Sequence, residues 1–151
     1  MSPVFLACLF STFAMTGLIW LIQAVNYPLM SLVPEDHFVA YEAAHCRRIS
    51  PVVLPLMVCE LLTSLWLCWR PPMAEVRTML LIAGGLTILL WLSTFLIQVP
   101  LHSQLEKAYS HTAWERLVQS NWIRTFLWSA RSVVMAWVLW QLSAPQRIAH
   151  D

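Results

Sequence analysis

The sequence predicts an all-α fold, an integral-membrane four-helix bundle with short interfacial helices on one side, built from residues 1–151 as a single domain. Three observations predict it. Of 151 residues, 59% are hydrophobic and 11% charged, and the mean hydropathy is +0.64; a soluble domain carries roughly a quarter charged residues. Four apolar runs, approximately 3–26, 51–69, 76–100 and 122–142, are each near the ~20 residues that cross a hydrocarbon core about 30 Å thick. The polar residues that interrupt or flank these runs collect at one end of the bundle.

The first run has no basic segment before it and no small-residue cleavage site after it, which predicts a retained helix and not a signal peptide. Tyr27-Pro28 closes it, because a proline disfavours helix at the residue before it. Segment 31–50 opens with Pro34-Glu35-Asp36, a helix-start signal, and then places His37, Tyr41 and His45 at i, i+4 and i+8 of a short helix. Arg70-Pro71-Pro72 ends the second run and leaves a short link to the third. Within the third, Gly84-Gly85 permits close helix approach, and Gln98-Val99-Pro100 ends it. Segment 101–120 holds a second short helix around Trp114–Val118. The fourth run carries Asn121, Arg124, Trp128 and Arg131, which at about 100° per residue share one narrow stripe. An arginine near mid-membrane costs at least about 2.5–3.5 kcal/mol on insertion scales, so this stripe must face protein or water.

Four spans place 31–50 and 101–120 on the same side. His37, His45, His102 and His111 then lie together on one side, and His150 on the other. Gln23, Asn26, Gln98, Asn121 and Arg124 sit at the same end. Basic residues are nearly balanced between the two faces, so orientation is left open. A weak internal echo, Leu21-Ile22-Gln23 with Pro28 against Leu96-Ile97-Gln98 with Pro100, fits either chance or a duplicated helix pair.

Several function classes fall away. A net charge of +1 gives no reason to expect nucleic acid. Cys8, Cys46, Cys59 and Cys68 form no C-x-x-C pair and read as small packing residues. No phosphate-binding, dinucleotide-binding or nucleophile-elbow motif occurs. Trp20, Trp66, Trp69, Trp122 and Trp140 suit interfacial belts or packing, whereas Trp128 lies between two arginines on the polar stripe.

What remains is metal chemistry. Imidazole and carboxylate together suit iron or copper ahead of zinc, and bundle interiors commonly hold such sites. The best-placed cluster is His45, His102 and Glu60, with Glu42 joined to His45 through Glu42-Ala43-Ala44-His45. His37 and His111 are further ligands or proton carriers, and haem is the alternative cofactor. Glu60 and Arg131 are matched in depth, which fits two readings equally: a buried ion pair that fixes helix register, or Glu60 as ligand or proton relay with Arg131 beside it. Asn121, Arg124, Trp128 and Arg131 are the candidate catalytic residues, the arginines holding an anionic substrate or intermediate.

The second half, Gln98-Val99-Pro100-Leu101-His102 with Asn121-Trp122-Ile123-Arg124-Thr125, resembles a small four-span family that includes the anthrone-oxygenase-like proteins. That family has Val-Pro-Leu-Asn ending the third span and Trp-Asn-x-x-Arg opening the fourth. Here His102 stands for the asparagine and Ser120 for the tryptophan. The resemblance implies a four-helix membrane fold and oxygenase or oxidase chemistry. The expectation is a cell-membrane oxidoreductase acting on a small hydrophobic substrate drawn from the bilayer, with homo-oligomerisation left open. The alternative is a non-enzymatic membrane protein that uses the same polar end to bind haem, lipid or a partner subunit.

Overall fold

The computed structural model describes residues 2–143. Four long helices run up and down: α1 (Pro3–Met30), α2 (Glu35–Trp69), α3 (Ala74–Leu105) and α4 (His111–Ser143). Consecutive helices pack against each other, and α1 also packs on α4, so the four close a ring. Ser2 caps α1, accepting from the Phe5 N–H at 3.3 Å, with Pro3 in the first turn where its missing N–H costs nothing. Ser110 does the same for α4 through the Ala113 N–H at 3.3 Å. His150 lies outside the described residues.

Three of the four helices, α1 to α3, are long and apolar enough to cross a membrane. The fourth falls short because of the polar residues it carries, and it turns these inward. Asn121, Arg124, Thr125, Trp128, Arg131 and Ser132 are all buried on one face. The expected stripe is therefore a real surface, and the other three helices cover it.

The short interfacial helices do not exist as separate pieces. Segment 35–50 is the first half of α2, which runs 35 residues without a break through Pro51 and Pro55. Each proline leaves the carbonyl four residues earlier without a donor. Those carbonyls belong to Arg47 and Pro51, and both residues are exposed, on the outer side of the helix. Likewise 101–105 continues α3, and Trp114–Val118 is part of α4. Residues 35–50 carry most of the charge of α2 and extend beyond its apolar part, residues 51–69.

Tyr27-Pro28 and Val99-Pro100 also fail to end their helices. Each is preceded by five π-helical residues, Ile22–Asn26 and Thr94–Gln98. The N–H of Tyr27 reaches back five residues to the Ile22 carbonyl, and that of Val99 reaches the Thr94 carbonyl. A wider turn moves the carbonyl that a proline ring would strike, so the chain continues where a regular α-helix would kink or stop. The irregularity falls at the same place in α1 and α3.

The interior has three apolar layers. Phe5, Leu67, Leu80 and Met135 belong to the layer near the chain's start. Met15, Ile19, Met57, Leu90 and Trp128 form the middle one. Tyr27, Met30, Phe38, Leu105 and Leu117 form the third, at the end where the histidines lie.

Candidate functional site

Two polar centres sit between these layers, and they differ in kind. The deeper is built on Arg131. Its Nε donates to Glu60 Oε1 at 2.9 Å, Nη1 to the Ala83 carbonyl at 2.5 Å, and Nη2 to Ser64 Oγ at 2.6 Å and Cys8 Sγ at 3.3 Å. Glu60 Oε2 accepts from Trp128 Nε1 at 3.1 Å. All four helices contribute, and both charges are sealed from solvent. Every guanidinium nitrogen is occupied, as a buried arginine requires. The centre is a closed register lock.

The upper centre is a chain of contacts from Gln23 to Cys46. Asn121 Nδ2 donates to Gln23 Oε1 at 2.8 Å, and Arg124 Nε donates to Asn121 Oδ1 at 2.8 Å. Arg124 Nη2 also reaches Tyr27 Oη at 3.5 Å, and Tyr27 Oη meets His102 Nε2 at 3.2 Å. His102 Nδ1 bonds Glu42 Oε1. Cys46 Sγ lies 3.4 Å from the same carboxylate oxygen and 3.6 Å from His102 Nδ1. One set of donor directions satisfies the whole chain: Tyr27 O–H donates to Nε2, and the Nδ1–H donates to Glu42. His45 lies beside His102, ring centroids 6.1 Å apart.

Residues 42–46 lie in the part of α2 beyond its apolar stretch, and burial works on the titrating groups there. It pushes the Cys46 thiol up, reinforced by the Glu42 charge, and draws the His45 imidazole down. Cys46 therefore keeps its proton and acts as a donor to Glu42 while no cation is near. Glu42 is fully buried, and its Oε2 has no hydrogen-bond partner.

Of the expected metal cluster, the structure brings together His45, His102 and Glu42, and it adds Cys46. Glu60 is not with them. It lies 15 positions beyond His45 on one unbroken helix, roughly 22 Å along the axis at about 1.5 Å per residue. The expectation treated 31–50 as a separate helix that could fold over the second span, and the continuity of α2 removes that freedom. His37 and His111 also stand apart. His37 pairs with Asp36 at 2.9 Å and His111 with Glu115 at 3.3 Å, both at exposed positions. Among the described residues, Glu42, Cys46 and His102 form a group able to hold a metal ion.

Sequence reasoning missed Tyr27 and Cys46. Tyr27 was read only as a helix terminator. Cys46 was read as packing, although Glu42 and Cys46 at i, i+4 share a helix face with one another.

A cavity of about 380 Å³ opens between the helices, with Met15, Ile19, Met57 and Trp91 among its apolar walls. Tyr27, Cys46, His102, Gln98 and Arg124 line its polar part. Trp128 lines it too, next to Glu60. Of the four candidate catalytic residues, Arg124 and Trp128 reach the cavity, Asn121 holds Arg124 in place, and Arg131 belongs to the closed lock. No family model, curated protein or solved structure matches this chain.

Proposed function

We propose that the protein is an integral-membrane, oxygenase-like oxidoreductase that takes a small hydrophobic substrate into the cavity, with Glu42, Cys46 and His102 as its metal-holding residues. One observation carries this: a buried carboxylate with an unpartnered oxygen, a thiol and an imidazole converge at the polar end of an otherwise apolar cavity.

The bilayer as solvent follows from an inverted polarity. Leu32, Phe10, Leu96, Val133 and Phe126 are 62–75% exposed on the outside, while arginine, glutamate, asparagine and glutamine are inside. In water, such a surface would drive association.

The donor set fits an ion in two of three spacings. Around a tetrahedral ion, S···N and S···O separations of roughly 3.5 Å follow from metal–ligand lengths of about 2.0–2.3 Å, and Cys46 meets both partners near that value. The His102–Glu42 contact is closer than that and would have to open. Thiolate and imidazole suit iron and copper as well as zinc, and iron or copper would supply one-electron chemistry that side chains lack. The residues' own part is separable from the metal. Tyr27 and His102 can pass a proton between cavity and Glu42, and Trp128 and the apolar walls exclude water. The oxygenase-like element of the reading rests on Val99-Pro100-Leu101-His102 and Asn121-Trp122-Ile123-Arg124.

The test is elemental analysis and an optical spectrum of purified protein. A stoichiometric metal lost in Glu42→Gln, Cys46→Ser and His102→Ala but kept in Glu60→Gln supports the reading. A Soret band selects haem. Absence of metal from protein refilled with iron, copper or zinc overturns it in favour of a non-enzymatic binding protein.

A further inference from the structure

Arg124 and Arg131 sit on one face of α4, two turns apart, yet only one is paired. Among the described residues, no carboxylate oxygen lies within 4.0 Å of Arg124. Its Nε and Nη2 are spent on neutral oxygens, those of Asn121 and Tyr27. Nη1 donates to no protein group and is not among the enclosed, unpartnered atoms. Arg124 lines the cavity, so Nη1 is the nitrogen turned toward it. A guanidinium that is 7% exposed is costly unless a charge or strong acceptor meets it. Glu42 is the nearest compensating charge along the hydrogen-bonded chain, two side chains away through Tyr27 and His102.

We propose that the cavity's ligand is a single-headed anionic amphiphile, whose carboxylate or phosphate head bonds Arg124 Nη1 while its apolar body lies against Met15, Ile19, Met57 and Trp91. This rests on the cavity being the substrate site, and it names the substrate's class. The volume is at the lower end of small-molecule sites, which suits a medium-length chain or a compact ring body. Asn121 is the positioning residue: its Oδ1 holds Nε and Nη2, so the guanidinium cannot turn away from the cavity. Bonds between guanidinium and carboxylate are charge-assisted and strong where water is excluded.

The experiment uses metal-stripped full-length protein in nanodiscs of zwitterionic lipid, with binding of labelled decanoate, methyl decanoate and decyltrimethylammonium read by scintillation proximity. Decanoate should bind about tenfold or more tighter than its ester, and the cation should not bind. Arg124→Gln should remove the preference for acid over ester, and Met57→Trp, which fills the cavity away from Arg124, should weaken both. Equal affinity for acid and ester in the wild-type protein overturns the proposal, whether or not Arg124→Gln folds. Replacing part of the lipid by phosphatidylglycerol separates two sources of the head group. Competition that spares the acid preference assigns a lipid head, and unchanged decanoate binding assigns a free acid. Because no metal is present, failure here leaves the metal reading standing, and loss of metal binding leaves this one standing.

Discussion

Arg131 and Glu60 meet at 2.9 Å with neither side chain accessible to solvent. The pair ties α4 to α2, and the remaining guanidinium bonds tie it to α1 and α3. Removing one partner strands the other. Arg131→Met should destabilise the protein by about 3–5 kcal/mol, and Glu60→Gln with Arg131→Met should recover much of that loss. A double-mutant cycle on detergent-solubilised protein measures the coupling. Simple additivity of the two losses would mean the contact contributes nothing as a pair. Arg131→Lys should not rescue, because a single ammonium cannot reach acceptors on four helices.

Gly84 and Gly85 should respond in opposite directions. A Cβ at Gly84 would come within 2.7 Å of Cys68 Sγ, whereas one at Gly85 would meet nothing within 4 Å. Gly85→Ala should gain up to about 1 kcal/mol from helix propensity. Gly84→Ala should lose on the order of 1–3 kcal/mol from overpacking, and adding Cys68→Ala should restore most of it. Thermal unfolding of the four proteins decides this, and equal behaviour of the two glycine variants would contradict the packing.

Sidedness is testable through the two exposed histidines. His37 and His111 lie near the α1–α2 and α3–α4 turns, at the same end of the bundle. Single cysteines at the two positions, in a background without the native ones, should react with a membrane-impermeant reagent from the same face. A cysteine at Pro72 should react from the other. Labelling of the first two from opposite faces would exclude a four-helix crossing.

Much of this was legible in the sequence, and the limits have physical causes. The apolar runs and the 100° stripe of Asn121, Arg124, Trp128 and Arg131 are periodic signals, and these carried through to the packed bundle. Matched depth paired Glu60 with Arg131 because helix rise is nearly constant. Prolines misled the reading four times, at Pro28, Pro51, Pro55 and Pro100, since local chemistry cannot say whether a freed carbonyl will be tolerated. The misplaced break before Pro51 then let Glu60 seem to reach His45. Tyr27 and Cys46 were invisible for another reason. A tyrosine beside a proline and a cysteine in an apolar helix look ordinary until the fold brings His102 to them.

A metal at the upper centre should also leave a mark on stability. Any ion that binds the folded state alone raises the unfolding temperature with concentration. Chelation should lower the midpoint for the wild-type protein and leave Cys46→Ser unchanged. The same dependence in both would place the ion elsewhere.

The two π-helical turns have a consequence for how this site tolerates insertions and deletions. A π turn amounts to one residue more than an α-helix would use over the same rise. Deleting a residue from Ile22–Asn26 would let α1 close up as regular helix and rotate everything after it by about 100°. Tyr27 would then swing out of the ring while the helix stayed whole. The same deletion in Thr94–Gln98 would turn His102 away. The angular phase of the upper centre relative to the Arg131 lock is thus set by two surplus residues, neither of which touches it.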